Sequence, residues 1–180
     1  MRIECRLCGS GGQGIILAGI ILAEAVGIHE GKHVTQAQNY GPAARGDSSR
    51  TDVVVSDDEI HYPKCQKLDL LVALSQRAYD KNKASLRKDG TLIVDSDNVA
   101  LSPGETGHSF PMTRIASGRA GGPISVNMVA LGAVAALNGV VKLESLKKAL
   151  RKRVPSVTEK QNLDALAAGY EAAGGGAKHS

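Results

Sequence analysis

A chain of 180 residues is long enough to bury a core as one domain without disulfides or metals. It is 42% hydrophobic but only 3% aromatic, so the core must be aliphatic; this suits a layered α/β protein and leaves little to stack on nucleic-acid bases. The formal charge of +4 is mild, and the aliphatic run Ile15–Ile21 is too short to span a bilayer, so the chain reads as cytoplasmic, with no nucleic acid and no membrane as partners.

Arg2–Leu7 reads as a short strand that runs into Gly9-Ser10-Gly11-Gly12-Gln13-Gly14. Ile15 to about Val26 follows as a helix apolar on most of its circumference, ended by Gly27. A second strand lies around Val34–Gln38, and NYGPAARGDSSR, from Asn39 to Arg50, is a loop. Thr51–Ser56 and Glu59–Tyr62, joined by Asp57-Asp58, have the spacing of a hairpin and hence of an antiparallel insertion.

Leu68–Leu74 is a continuous apolar strand, Gln76–Arg87 a helix, and Thr91–Val94 a buried strand after an Asp89-Gly90 turn. That unit predicts a parallel pair with a right-handed crossover. Asp95 to Pro123 is irregular apart from a short strand at His108–Phe110, and helices are predicted at Ser125–Leu137, Leu143–Val154 and Thr158–Ala173. The expectation is an α/β fold: a single three-layer α/β/α domain, residues 1–173, on a mixed, largely parallel sheet with a Rossmann-like start and a helical C-terminal half. A disordered tail, 174–180, follows.

A strand, a glycine-rich turn and a helix form the physical recipe for an anion site, because backbone N–H groups converge at the positive end of the helix. The turn matches G-x-G-x-x-G, which admits a stand-alone nucleotide- or dinucleotide-binding Rossmann-like protein. Against that reading, the second strand leads into VTQAQNYGP, with no carboxylate for a ribose until Asp47. No Gly-Lys-Ser/Thr closes the turn, so it is not a Walker loop. Cys5 and Cys8 spell C-x-x-C but lack a second ligand pair, and none of the five histidines is marked as a catalytic base. Lys142–Arg153 carries six cations on a helix whose Leu143, Leu146 and Leu150 turn inward. Its polar side is a solvated face or a docking surface for an acidic partner or phosphorylated ligand.

Taken together, GSGGQGIILAGIILAEA, NYGPAARGDSSRTDVVVSDDEIHYP and LDLLVALSQRAYDK resemble the gamma subunit of the 2-oxoacid:ferredoxin oxidoreductases. VNMVALGAV and KQNLDALAAGY are similar to that family's C-terminal helices, so the resemblance runs from about Ile3 to Tyr170. Tyr40-Gly41-Pro42 favours the pyruvate, ketoisovalerate and 2-oxoglutarate branches, and the 2-oxoglutarate branch is the one to which we lean.

The resemblance implies a subunit of a complex that oxidatively decarboxylates a 2-oxoacid to its acyl-coenzyme A and passes electrons to ferredoxin, with no catalysis by the isolated chain. It implies alpha and beta subunits as partners, with or without a ferredoxin-like delta subunit. Thiamine diphosphate, Mg and iron–sulfur clusters would reside in those partners and no cofactor in this chain alone. Gly11, Gly12, Gln13 and Gly14 would present backbone donors and one amide to coenzyme A at the subunit interface, with Tyr40, Gly41, Arg45 and Gly46 as the partner loop and Arg45 supplying charge. The alternative use of both loops is packing against the catalytic subunits. Asn127 admits two roles as well, helix cap or interface residue.

Overall fold

The computed structural model describes residues 1–39, 48–119 and 125–175. Six strands form one mixed sheet in the order β2-β3-β1-β4-β5-β6. They are β1 (Arg2–Ser10), β2 (His33–Asn39), β3 (Ser48–Ser56), β4 (Leu68–Ala73), β5 (Leu86–Asp95) and β6 (His108–Phe110). β1, β4, β5 and β6 run parallel, while β3 is antiparallel to β1 on one side and to β2 on the other.

The helices are α1 (Ile15–Glu24), α2 (Gln76–Asn82), α3 (Met112–Arg119), α4 (Val126–Leu137), α5 (Leu143–Arg153) and α6 (Ser156–Ala172). Side chains alternate across β1, so Cys5 and Leu7 enter a large cluster with α1 and α3–α6, while Cys8 joins a smaller one with Ala78 and Tyr79 of α2. Helices therefore cover both faces, as expected, but unequally. β4 is buried along its length, which explains its unbroken apolar run.

Helix α4 is buried from Val126 through Val134, and α6 lies across it. The crossing is close because both helices carry glycine at the contact. A Cβ on Gly132 would overlap the Leu166 carbonyl oxygen, and one on Gly169 the Val129 carbonyl oxygen.

Several expectations are corrected. The hairpin at 51–62 does not form: β3 starts at Ser48, three residues inside the expected loop, and its hairpin partner is β2. Residues 59–62 are not strand; the Tyr62 and Lys64 carbonyls instead accept from the Arg2 guanidinium at 2.9 and 3.2 Å. Gly27 does not end the first helix, which continues as a π turn over Ala25–His29.

The second helix stops at Asn82, and Asp89-Gly90 is not a turn but part of β5. There the register against β4 shifts, from Leu68↔Leu86 to Leu70↔Thr91, so the turn signal is expressed as a bulge. Helix α3 lies within the stretch expected to be irregular; Met112 and Ala116, one turn apart, anchor it in the core. Gly174 and Gly175 close α6, with N–H groups donating to the Glu171 and Tyr170 carbonyls at 2.9 Å each, so they belong to the helix cap. The rest of the expected tail, 176–180, lies outside the described residues.

The α4–α6 contact generates a prediction. Gly169→Ala forces a methyl group into the Val129 backbone and should cost about 2–3 kcal/mol, lowering the midpoint of a thermal melt by roughly 5–10 °C. An unshifted melt would show that the helices separate at no cost.

Candidate functional site

β1 and β4 are adjacent and parallel, but the chain leaves them toward opposite faces, to α1 from β1 and to α2 from β4. Crevices outside the carboxyl ends of such strands are where open α/β sheets bind ligands. Leu74 N–H donates to the Cys8 carbonyl at 2.9 Å, closing the floor of this crevice, and the glycine loop 9–14 forms its rim.

Each residue of the rim has a distinct duty. Gln13 N–H donates to the Ser10 carbonyl at 3.3 Å. The Gln13 side chain folds back inside the loop: Oε1 accepts from Ser10 N–H at 2.7 Å and Nε2 donates to the Leu74 carbonyl at 3.1 Å. Position 9 must be glycine because the Gln13 oxygen occupies the place of a Cβ. Gly14 is the N-cap of α1, left-handed at φ 69°, and a Cβ there would collide with the Asn127 amide. Asn127 Nδ2 donates to the Gly14 carbonyl at 3.0 Å and its Oδ1 accepts from Met128 N–H at 3.0 Å. Gly11 and Gly12 form the tip, exposed, with open space where side chains would stand; Gly12 has φ 87°.

The predicted site residues divide accordingly. Gly11 and Gly12 are at the open tip. The amide of Gln13, expected to face a ligand, bonds at both ends within the chain and so shapes the loop. Tyr40, Gly41, Arg45 and Gly46 lie outside the described residues. The ends of their loop are nonetheless beside the rim, since Ser10 pairs with Ser48 and Arg50 with both Cys8 and Asn39. Ser125, not Asn127, stands at the cap position of α4, and the Asn127 side chain joins α4 to the start of α1.

Helix starts at this edge differ in what occupies them. Ser75 caps α2 through Ala78 N–H at 3.4 Å. Asp95, at the end of β5, accepts from Met112 N–H at 2.9 Å and from the Thr113 hydroxyl at 2.6 Å, and Asp97 accepts from Arg114 N–H at 2.9 Å, so α3 already holds carboxylates. α1 begins without a side-chain cap.

Sequence reasoning missed two features on the α2 face. Arg6 forms a buried bidentate pair with Asp52, 2.6 and 2.7 Å, and reaches Asn82 Oδ1 at 3.1 Å. Burial alone would lower the Arg6 pKa; the hydrogen-bonded Asp52 carboxylate overrides it and holds the guanidinium above its usual value. The signal was charge inside strand patterns, at Arg6 and Asp52. Arg50, on the same side of β3 as Asp52, is partly buried, and its Nε is enclosed with no acceptor among the described residues.

The C-x-x-C pair is split between the two faces of the sheet and both thiols are fully buried. Desolvation pushes Cys8 up to about 12 and Cys5 higher still. Among the described residues no group of three or more His, Cys, Asp or Glu is placed to hold a metal. On α5, Lys147 pairs with Glu144, Arg151 with Glu159, and Arg153 with the buried Glu24 of α1. Leu146 and Leu150 are buried beneath them.

Residues 4–172 match the family model described as pyruvate ferredoxin/flavodoxin oxidoreductase. The chain is 47% identical over 177 residues to "2-oxoglutarate synthase subunit KorC" of Methanocaldococcus jannaschii, covering 96% of this chain and 95% of the relative. It superposes on the gamma subunit of a keto/oxoacid ferredoxin oxidoreductase from Geobacter sulfurreducens with a TM-score of 0.88, 43% identity and 99% coverage of both chains. It also superposes, with a TM-score of 0.83 and 25% identity, on 2-oxoglutarate:ferredoxin oxidoreductase from Magnetococcus marinus with 2-oxoglutarate, coenzyme A and succinyl-CoA bound. There it spans 99% of its own length and 32% of the longer chain.

Two outcomes follow from this geometry. Gln13→Ala removes both internal bonds of the rim and should cost about 1–2 kcal/mol, with hydrogen exchange at Ser10 accelerated roughly tenfold or more; unchanged exchange would mean the amide does not hold the loop. Since thiolates react and Cys8 titrates near 12, Cys5 and Cys8 should resist alkylation between pH 7 and 9 in the native chain and react on unfolding. Rapid native labelling of either would contradict their burial.

Proposed function

The chain belongs to the pyruvate ferredoxin/flavodoxin oxidoreductase family, as a gamma subunit of a 2-oxoacid:ferredoxin oxidoreductase, and from that premise we propose that its glycine rim forms one wall of a coenzyme A site completed by the catalytic subunits. A stand-alone dinucleotide-binding protein is not the reading these relationships favour, and β2 ends in Gln38-Asn39, with no carboxylate for a ribose.

The observation that carries the proposal is the uncapped start of α1 behind an open Gly11–Gly12 tip, at an edge where α2 and α3 already have their caps. Coenzyme A supplies the thiol that accepts the acyl group. Gly11 and Gly12 would approach a phosphate through backbone N–H groups, with the partial positive charge of α1 behind them. Gly14 and Asn127 keep that helix end in place, and Gln13 holds the rim open. Tyr40, Gly41, Arg45 and Gly46 are proposed as further residues of the site, with Arg45 as a further cation. Because the chain is 47% identical to a 2-oxoglutarate synthase subunit, the 2-oxoacid of its complex is proposed to be 2-oxoglutarate, with succinyl-CoA as product.

The complex would be cytoplasmic, built with alpha and beta subunits and with or without a ferredoxin-like delta subunit. Thiamine diphosphate, Mg and iron–sulfur clusters would reside in those partners, and ferredoxin would be the electron acceptor.

Gly11→Glu tests the proposal. It adds a carboxylate at a position with open space and no positive φ, so the fold should tolerate it. In the assembled complex, with 2-oxoglutarate-dependent reduction of a low-potential dye as the assay, KM for coenzyme A should rise about tenfold, the effect of roughly 1.4 kcal/mol of repulsion and lost contact. KM for 2-oxoglutarate and subunit stoichiometry should be unchanged. An unaltered KM for coenzyme A, or loss of the chain from the complex, would instead make the rim a packing surface.

A further inference from the structure

Residues 142–153 gather the positive charge of the chain. They hold six of its 22 Lys and Arg but one of its 18 Asp and Glu, so the remainder, with 16 and 17, carries a net charge of −1. The dipole of α5 accounts for Arg151, Lys152 and Arg153, which lie in its last turn. It does not account for Lys142 at the N-cap, where a cation is unfavourable, or for Lys147 and Lys148 in the middle of the helix. Lys148 and Lys152, four residues apart, share one face and are both exposed, and like charges at that spacing repel. Stability of the helix is therefore not what this face serves.

Exposed apolar side chains stand at both ends of it. α5 runs beside the far half of α1 and its π turn, since Lys142 N–H donates to Glu30 Oε1 at 2.7 Å and Arg153 pairs with Glu24. Ile28, between those two contacts in the chain, is 64% exposed. Beyond the other end of α5, Val157 in the first turn of α6 is 88% exposed. Glu24 lies at the opposite end of α1 from Ile15, about 14 Å along the axis, so this face is separate from the glycine rim.

Lysines around two apolar side chains suit an encounter rather than a permanent joint. Permanent subunit joints are large, with apolar cores poor in lysine, whereas electron-transfer encounters are small and steered by charge. The 11 residues of α5 span about 16 Å, a length matched to such a small contact. A protein exchanged at every turnover needs a surface of this kind. In a 2-oxoacid:ferredoxin oxidoreductase that protein is the electron acceptor, and the thiolates that ligate its iron–sulfur cluster bring negative charge with them.

We propose that ferredoxin docks through an acidic surface onto the exposed face of α5, with Lys148 and Lys152 as the central cations and Val157 and Ile28 as flanking apolar contacts. The proposal rests on ferredoxin being the acceptor of the complex. The role of α5 is affinity and orientation; the electron itself would come from a cluster in a partner subunit.

The test is steady-state kinetics of the assembled complex, saturated with 2-oxoglutarate and coenzyme A, with either ferredoxin or a viologen dye as acceptor. In the native complex KM for ferredoxin should rise severalfold between about 50 and 300 mM salt, as a steered encounter requires. Lys148→Glu combined with Lys152→Glu should raise KM for ferredoxin about tenfold at low salt and flatten its salt dependence, and the corresponding Gln pair should fall in between. Val157→Ser should raise it about two- to threefold at every salt concentration. The dye-linked rate, KM for coenzyme A and subunit stoichiometry should stay native in all three. An unchanged KM for ferredoxin in the Glu pair overturns the proposal. So does a parallel loss of activity with dye and ferredoxin, or loss of the Gln-pair chain from the complex, either of which makes α5 a joint between subunits. A native complex that reduces the dye but no ferredoxin would fail the acceptor reading on which the proposal rests.

Discussion

The buried pair of Arg6 and Asp52 is the interaction on which the arrangement of this molecule turns. Arg6 comes from β1 and Asp52 from β3, directly opposite each other in the antiparallel ladder. A slip of one residue would send one of them to the opposite face of the sheet and leave two enclosed charges without partners. Hydrophobic patterning alone would discriminate less, because Val53, Val54 and Val55 are all buried whichever face each one takes. The charge pair thus sets the register that puts Ser48 against Ser10. Through Asn82 it also fixes α2, the helix that follows the crevice strand β4. A polar contact in the interior therefore decides where two surface loops meet.

Much of this fold is legible in the sequence where a single element carries its own signal. The strand–glycine–helix start, the apolar β4, the short β6 and the last three helices all lie within a few residues of expectation. What was not legible depends on distant partners. Helix α3 has a weak apolar pattern, and its start is held by Asp95 at the end of β5 and Asp97 just beyond it. The first residues of β3, Ser48, Ser49 and Arg50, look like a loop because nothing local favours a strand; pairing with β1 and β2 on both sides makes them one. Asp89-Gly90 shows the converse, a strong turn signal absorbed into a strand as a bulge.

The same distinction applies within the site. The glycines at 9–14 announce a tight turn, but their separate duties do not follow from spacing. Gly9 makes room for Gln13, Gly14 for Asn127, and Gly11 and Gly12 for nothing inside the chain. Gln13 looked like a donor to a ligand because an amide in a glycine loop has that chemistry. Its bond with Ser10 is local, but the one to Leu74 exists only because β4 ends beside β1. Arg50 was overlooked for a related reason: placed in a loop, it would be an ordinary solvated cation, whereas in β3 it is partly buried.

The close crossing of α4 and α6 has a mechanical meaning. With glycine at both contact points, the two backbones touch directly, and α4 is enclosed along most of its length. At those points no side chain stands between the helices to yield, so the pair behaves as a stiff strut. Asn127 sits at its end and grips the Gly14 carbonyl, which makes the base of α1 stiff as well. Compliance is left to the two residues of the tip. Whatever docks there meets a surface able to adjust over a single peptide unit while everything beneath it stays put.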